Sequence, residues 1–347
     1  MNKDIVANAP DGRPFQLTEL RNSTGMTVTL MDWGATLLSI NVPLKDGSVR
    51  EVALGCEHPN VWTQQEACLG ASIGRYANRI AYSRFDLDGK TFELIPNQGE
   101  HQLHGGPEGF NKRRWRVMHH SPQSVTYALT SPAGDQGFPG TLEATATFTL
   151  HDDQRLSIEY GATVDAPCPV NLTNHVYFNL DGVQGDIRQH RLQVFADHYL
   201  PVSPEGIPTR GLAAVDATSV DFRQARLISD RFLSDEDQRN VNGIDHAFLL
   251  TAKGNGAAPA AHVWSSDNQL QMTVYTTAPA LQVYTGNSLE GTPSRDGGHY
   301  SAWQGLALES ELLLDSPHHP EWPQPDCVIR PDQQYRSVTE YQFHPHA

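Results

Sequence analysis

Residues Thr141 to Val164, TLEATATFTLHDDQRLSIEYGATV, carry apolar side chains at Leu142, Ala144, Ala146, Phe148 and Leu150, and again at Leu156, Ile158, Tyr160, Ala162 and Val164. The polar run His151-Asp152-Asp153-Gln154 separates the two series. A period of two puts successive side chains on opposite faces of an extended chain, so each series predicts a strand with one dry and one wet face, and the pair predicts an antiparallel hairpin. The pattern recurs along the chain. Met26 to Leu44 alternates around Val28, Leu30, Leu38, Ile40 and Val42, with Gly34 as a bend. Arg84 to Ile95 sets Asp88-Gly89 between Phe85, Leu87 and Phe92, Leu94, a hairpin signal because both turn positions tolerate positive φ. Leu192, Val194 and Ala196 alternate, as do Leu270, Met272, Val274 and Thr276, and Tyr335 to Phe343 closes the series. The continuous apolar runs of buried parallel strands are missing. Helical periodicity is sparse, with Ile228 to Gln238 as the best segment and Ser229 as its N-cap. These features predict an all-β chain, one large antiparallel β-sandwich with few short helices, in a single domain over residues 1–347.

Composition excludes several function classes. The 347 residues carry a net charge of -15, a surface that repels nucleic-acid phosphates and anionic membranes. The N-terminal stretch MNKDIVANAPDGRPF lacks a secretory apolar region, and nowhere do roughly 18 apolar residues run together, so a cytoplasmic location is expected. Cys56, Cys68, Cys168 and Cys327 are scattered without a C-x-x-C pair, which fits neither a disulfide framework nor a zinc ribbon. His101 and His104 stand three apart, but without a helical pattern or neighbouring ligands they do not make a metal site, and the doublets His119-His120 and His318-His319 are expected in loops.

Candidate chemistry concentrates in Pro167 to Leu180, PCPVNLTNHVYFNL. As a strand, this run would put His175, Tyr177 and Asn179 on one face, spaced by about 7 Å, a set of donors and acceptors suited to a polyhydroxylated ligand. A lone histidine there would ordinarily be a core residue with its polar atoms satisfied, and it is the polar neighbours that favour a site. Gly74 to Ile80, GRYANRI, brings Arg75, Asn78 and Arg79 together, although arginines are usually solvated charges. In HQLHGG, residues 101–106, the two glycines let His104 approach a ligand or simply form a turn. Asp245, in GIDH, is by itself a turn former. In GLALESE, residues 305–311, Ala307, Glu309 and Glu311 share one strand face, which is either solvated or turns a carboxylate inward as a general base. Paired carboxylates also keep a glycosidase open.

Taken together, GRYANRI, QLHGGPEGF, NLTNHVYFNL, GIDHAFLL, PALQVYTGN and GLALESE resemble the galactose mutarotase (aldose 1-epimerase) family, in family order from about Leu30 to Tyr341. The resemblance implies a β-supersandwich that interconverts the α and β anomers of free aldoses such as galactose and glucose without a cofactor. It implies Glu309 as proton acceptor and His175 as proton donor, on opposite sides of the sugar. It places Asn78, Arg79, His104, Tyr177, Asp245 and Gln282 at sugar-binding positions, with no metal. The expected partner is a small aldohexose, with no nucleic acid or membrane, for a monomer or weak homodimer. The rate should be bell-shaped in pH, with the glutamate setting the acidic limb and the histidine the alkaline one. Where members of the family often carry an aromatic residue, this chain has Asn287-Ser288-Leu289, so part of the site wall is expected to be smaller. Two rivals are a hexose-phosphate epimerase, which would need more arginines than Arg75 and Arg79, and a non-catalytic sugar-binding module, which would need no acid/base pair.

Overall fold

The computed structural model describes residues 8–182 and 185–347, so Met1 to Ala7 of the N-terminal stretch lie outside the described residues. The period-two segments all pair as antiparallel strands. A nine-stranded sheet runs in the order Arg116–His120, Ser124–Ser131, Leu142–Leu150, Arg155–Val164, Tyr335–Pro345, Leu270–Thr276, Pro259–Trp264, Arg191–Val194 and Arg226–Leu227. The opening hairpin forms its third and fourth strands, with Leu142 opposite Val164 and Leu150 opposite Leu156. Its apolar positions are buried and most of the intervening ones are not, which is the alternation expected of a sheet with one covered face. The hairpin at Asp88-Gly89 forms as expected, with φ of 50° and 78° at the two turn residues.

A six-stranded sheet packs against the nine-stranded one, in the order Tyr177–Phe178, Leu306–Glu311, Ala280–Tyr284, Asp245–Leu250, Ala196–Tyr199 and Ala213–Ala214. Here the expectation of one wet face fails: every residue of Leu306–Glu311 is buried. Phe178, Leu306, Leu308, Leu281, Val283 and Phe248 enter the main core with Phe148, Ile158, Tyr341 and Phe343 of the larger sheet. The opposite face is covered too. Tyr177 and Ala307 pack with Leu38, Leu54, Trp62, Leu69 and Leu289, while Ala247 and Ala280 pack with Leu200, Leu313 and Trp322. A four-stranded sheet, Leu17–Arg21, Thr27–Met31, Thr36–Pro43 and Val49–Glu51, continues into this cover through a bridge from Ala53 to Phe178.

Two local expectations are corrected. The helix runs over Glu236–Val241 rather than from Ile228, and its N-cap is Asp235, whose carboxylate accepts the Gln238 N–H at 3.2 Å. Glu236 and Asp237 in the first turn suit the positive end of the helix dipole, which Ser229 and its neighbours could not supply. His119 and His120 end the edge strand Arg116–His120 instead of lying in a loop. Among the described residues no helix is long and apolar enough to cross a membrane.

Candidate active site

Because facing residues of antiparallel strands point to the same side, register alone assembles a polar patch. Gln282 lies opposite Glu309, Tyr284 opposite Ala307, and Asp245 opposite Tyr284. Tyr177 joins the same face opposite Ala307. Glu309, Gln282 and Asp245 therefore sit between the two apolar clusters that cover the ends of this face, under a cavity of about 320 Å³. Asn78, Arg79, His104, His175, Tyr177, Asp245, Gln282 and Glu309 all line that cavity.

His175 does not come from a long strand. Pro167–Leu180 is irregular, with two-residue strands at Thr173–Asn174 and Tyr177–Phe178, because its asparagines bond to backbone instead. Asn171 caps Leu312 N–H and Asn174 caps Val176 N–H. Asn179 likewise donates to the carbonyls of Gly185 and Gln304 and is absent from the cavity wall, so the expected row of His175, Tyr177 and Asn179 reduces to its first two members. The His175 backbone is clamped by Gly70 and Ala71. Its ring lies tilted by 31° over Tyr177 at 4.8 Å and meets His104 edge-on at 5.1 Å. The Tyr177 hydroxyl is already engaged, donating to the Ala67 carbonyl at 2.9 Å, which leaves its ring as a wall and a support for His175.

His175 Nε2 lies 3.4 Å from Glu309 Oε1. Both groups are nearly dry, at 4 % and 2 % exposure, and burial acts on them in opposite senses because it penalises charge. It pushes the imidazole down to about 4. It raises Glu309 well above the usual carboxylate range, helped by the neighbouring carboxyl groups of Glu311 and Asp245. The expected order of the two limbs of the pH profile is thereby inverted.

On the opposite wall, Asn78 and His104 are clipped together. Asn78 N–H donates to His104 Nδ1 at 3.0 Å, and His104 N–H donates to the Asn78 carbonyl at 3.1 Å. Both residues take positive φ, 66° and 53°, a backbone conformation tolerated at functional sites. Since His104 Nδ1 accepts, its proton resides on Nε2, and burial keeps the ring neutral. The donor atoms of His104, His175 and Glu309 lie within 4.8 Å of one another. A ligating imidazole, however, donates from its second nitrogen, and His104 does the reverse, so the set fits a sugar hydroxyl rather than a metal ion. The two glycines after His104 serve packing: a Cβ on Gly105 would stand 2.0 Å from the Gly74 carbonyl oxygen.

Arg79 is the only Lys or Arg on the described cavity wall. Its Nε donates to Gln98 at 2.6 Å, and Gly206 lies flat against the guanidinium. Arg75, by contrast, is buried away from the cavity with its guanidinium on the carbonyls of Ser131, Pro132, Pro139 and Gly140. It is a structural clamp, and a phosphate is left with one arginine. Asp245 accepts from Gln282 Nε2 at 2.7 Å. Ser288 and Leu289 form the small part of the wall, with Ser288 N–H donating to the Tyr284 hydroxyl at 2.9 Å. Sequence reasoning missed Gln98, Gly206 and Tyr284. Tyr284 could have been found two residues along the strand from Gln282, whereas nothing in the sequence ties Gln98 or Gly206 to Arg79.

Comparison with known proteins agrees with this architecture. The family model "Aldose 1-epimerase" matches residues 16–342. The chain is 63 % identical over 343 residues to the aldose 1-epimerase of Escherichia coli K12, covering 99 % of each, and 35 % identical over 346 residues to the galactose mutarotase of Bos taurus, covering 98 % of this chain and 96 % of that one. A crystal structure of an aldose epimerase homologue from C. elegans superposes with a TM-score of 0.89 at 31 % identity, covering 96 % of this chain and all of the other. A match of this extent, on a fold whose register builds the cavity described above, places the chain in the aldose 1-epimerase family.

Proposed function

We propose that this enzyme interconverts the α and β anomers of free aldohexoses by general acid/base ring opening, with Glu309 as proton acceptor and His175 as proton donor. The observation that carries the reading is the 3.4 Å contact of an acid and a base at the floor of a cavity walled by hydroxyl-binding groups. Both reacting oxygens of a pyranose, O1 and O5, are bonded to C1, so two groups in contact can serve both. Glu309 takes the O1 proton while His175 gives one to O5 and the C1–O5 bond breaks, leaving the open-chain aldehyde. Rotation about C1–C2 turns the other carbonyl face toward O5, and closure returns each proton. The pair holds one proton throughout. It lies on His175 when a pyranose is bound and on Glu309 when the aldehyde is bound.

Arg79, Asn78 and His104 Nε2–H supply donors for the remaining hydroxyls, and the Asp245–Gln282 pair supplies acceptors. Such fixed partners disfavour a sugar with a missing or inverted hydroxyl. A cytoplasmic setting, which four unpaired cysteines support, and a monomer or weak homodimer complete the reading, to be checked by fractionation and size-exclusion chromatography.

Polarimetry on freshly dissolved α-galactose and α-glucose tests the proposal. The wild type should speed the approach to equilibrium, and Glu309→Gln and His175→Asn should each lower kcat by roughly 10²- to 10⁴-fold with the circular dichroism spectrum retained. A wild type no faster than buffer would make this a binding protein. A Glu309→Gln enzyme of normal rate would remove the assigned base.

A further inference from the structure

Glu311 stands two residues beyond Glu309 on the same strand, opposite Ala280 as Glu309 is opposite Gln282, and hence on the same face of the sheet. It does not line the cavity. Glu311 is 2 % exposed, and both of its carboxyl oxygens are buried without a hydrogen-bond partner, with the Asn78 side chain near them. Glu309 Oε1 faces His175, but its Oε2 is likewise buried without a partner. Three partnerless oxygens of two carboxyl groups thus occupy one dry strand face, and a buried acceptor without a donor is costly.

A single proton resolves the arrangement. Two carboxylates at close quarters in a dry site do not both ionise. The other groups facing them are Asp245, two strands away in the sheet, His175 against Glu309, Arg79 and Asn78 from the opposite wall, the Cys68 thiol, and the phenols of Tyr177, Tyr284, Tyr335 and Tyr341, of which Tyr177, Tyr335 and Tyr341 donate to the carbonyls of Ala67, Leu172 and Leu308. Placing the proton on Glu311 satisfies Glu311 as a donor and Glu309 Oε2 as an acceptor, and leaves Glu309 ionised beside His175 as the role of proton acceptor requires. Burial, helped by the charge of Asp245, pushes the Glu311 carboxyl up to about 8 against the opposing effects of Glu309, Asn78 and Arg79.

We propose that Glu311 is a positioning residue that remains a neutral acid and donates its proton in a hydrogen bond to Glu309 Oε2, so that Oε1 is free and basic toward the substrate's O1 proton. The inference rests on the assignment of Glu309 as proton acceptor. Its consequence is specific. Without the Glu311 donor, Glu309 holds its own proton more tightly, so less of the pair's single proton rests on His175, where ring opening needs it.

The test compares Glu311→Gln, whose amide can still donate, with Glu311→Leu, which fills the space and cannot, by polarimetric kcat/KM from acid to alkaline pH. Glu311→Gln should stay within about threefold of the wild type. In Glu311→Leu the plateau should fall by roughly 10- to 100-fold and the alkaline limb should move up by about one to two pH units, the loss of one hydrogen bond to a charged group. General packing damage would lower the plateau and leave that limb in place. The inference is overturned if the Leu limb does not move, or if Gln and Leu behave alike. Should Glu311→Leu fail to fold, infrared spectroscopy of the wild type and Glu311→Gln decides: the C=O stretch of a protonated carboxyl near neutral pH must be present in the first and diminished in the second, and its absence from the wild type overturns the inference. A wild type without mutarotation would instead remove the underlying assignment, whatever the Glu311 variants did.

Discussion

Gly206→Ala tests how Arg79 is held. The guanidinium lies against the Gly206 backbone, and an added Cβ would stand 2.6 Å from Cζ, 2.7 Å from Nη1 and 2.8 Å from Nε. Ordinary contact begins at about 3.4 Å, so the group must retreat by about 0.8 Å, the difference between 3.4 and 2.6 Å. The same movement strains the 2.6 Å bond from Nε to Gln98, which fixes the fork in the plane of the cavity wall. Displacements of this size cost up to about 100-fold where a bound geometry must be exact. A charge-assisted hydrogen bond to a sugar hydroxyl contributes about 1.5–3 kcal/mol, so we expect kcat/KM to fall by roughly 10- to 100-fold. Gly206 has φ of +79°, so alanine also costs about 1–2 kcal/mol of stability, visible as a modest loss in Tm. Polarimetric initial rates over a range of sugar concentrations separate the two effects. If Gly206→Ala loses stability and keeps the wild-type kcat/KM, then Arg79 does not hold substrate through the position that Gly206 enforces.

Three further outcomes follow from the site. Asp245→Asn should raise KM more than it lowers kcat, since the carboxylate accepts from Gln282 and a hydroxyl rather than moving a reacting proton; a fall in kcat alone at constant KM would place Asp245 in the chemistry. The kcat/KM profile should be bell-shaped with its acidic limb near the His175 value of about 4 and its alkaline limb set by the raised Glu309, the reverse of the free side chains; the histidine assignment fails if His175→Asn retains measurable activity with the same acidic limb. Prolonged dialysis against EDTA should leave the rate intact, and loss restored by zinc or manganese would mean that Lewis-acid chemistry contributes.

Much of the fold was legible because alternation is a local property of the chain. The long hairpin of the large sheet, Leu142–Leu150 with Arg155–Val164, and the Asp88-Gly89 hairpin were readable residue by residue. The six-stranded sheet was harder. LALESE alternates as a half-exposed strand would, and its burial on both faces depends on Tyr177, Leu54 and Trp62 arriving from elsewhere in the chain. The candidate residues were named through the resemblance, and their convergence on one cavity follows from strand register, which no single segment encodes. Asn179 failed for a local reason: an asparagine beside a turn finds backbone carbonyls sooner than a ligand. Arg75 failed because five backbone and hydroxyl acceptors, invisible in GRYANRI, surround its guanidinium.

The distribution of unsatisfied polar atoms ties the site to the fold's stability. Of the buried side-chain atoms without a protein partner, His175 Nδ1, Gln282 Oε1, Glu309 Oε2 and both oxygens of Glu311 gather on or beside one sheet face. Each such atom costs about 1–3 kcal/mol if left unpaired, so this face would be better satisfied as leucine and valine from the standpoint of folding alone. What allows it is the cover on either side: the apolar clusters around Tyr177 and Ala307, and around Ala247 and Ala280, flank the polar strip and keep it dry and rigid. Dryness also moves the two proton affinities in opposite senses, lowering the imidazole and raising the carboxyl across a contact of 3.4 Å. Exposing the strip to water would relieve the unpaired atoms and return Glu309 and His175 toward their ordinary values, restoring the order of the free side chains. The local penalty and the acid/base shifts therefore have one cause, the burial of Leu306–Glu311 on both faces.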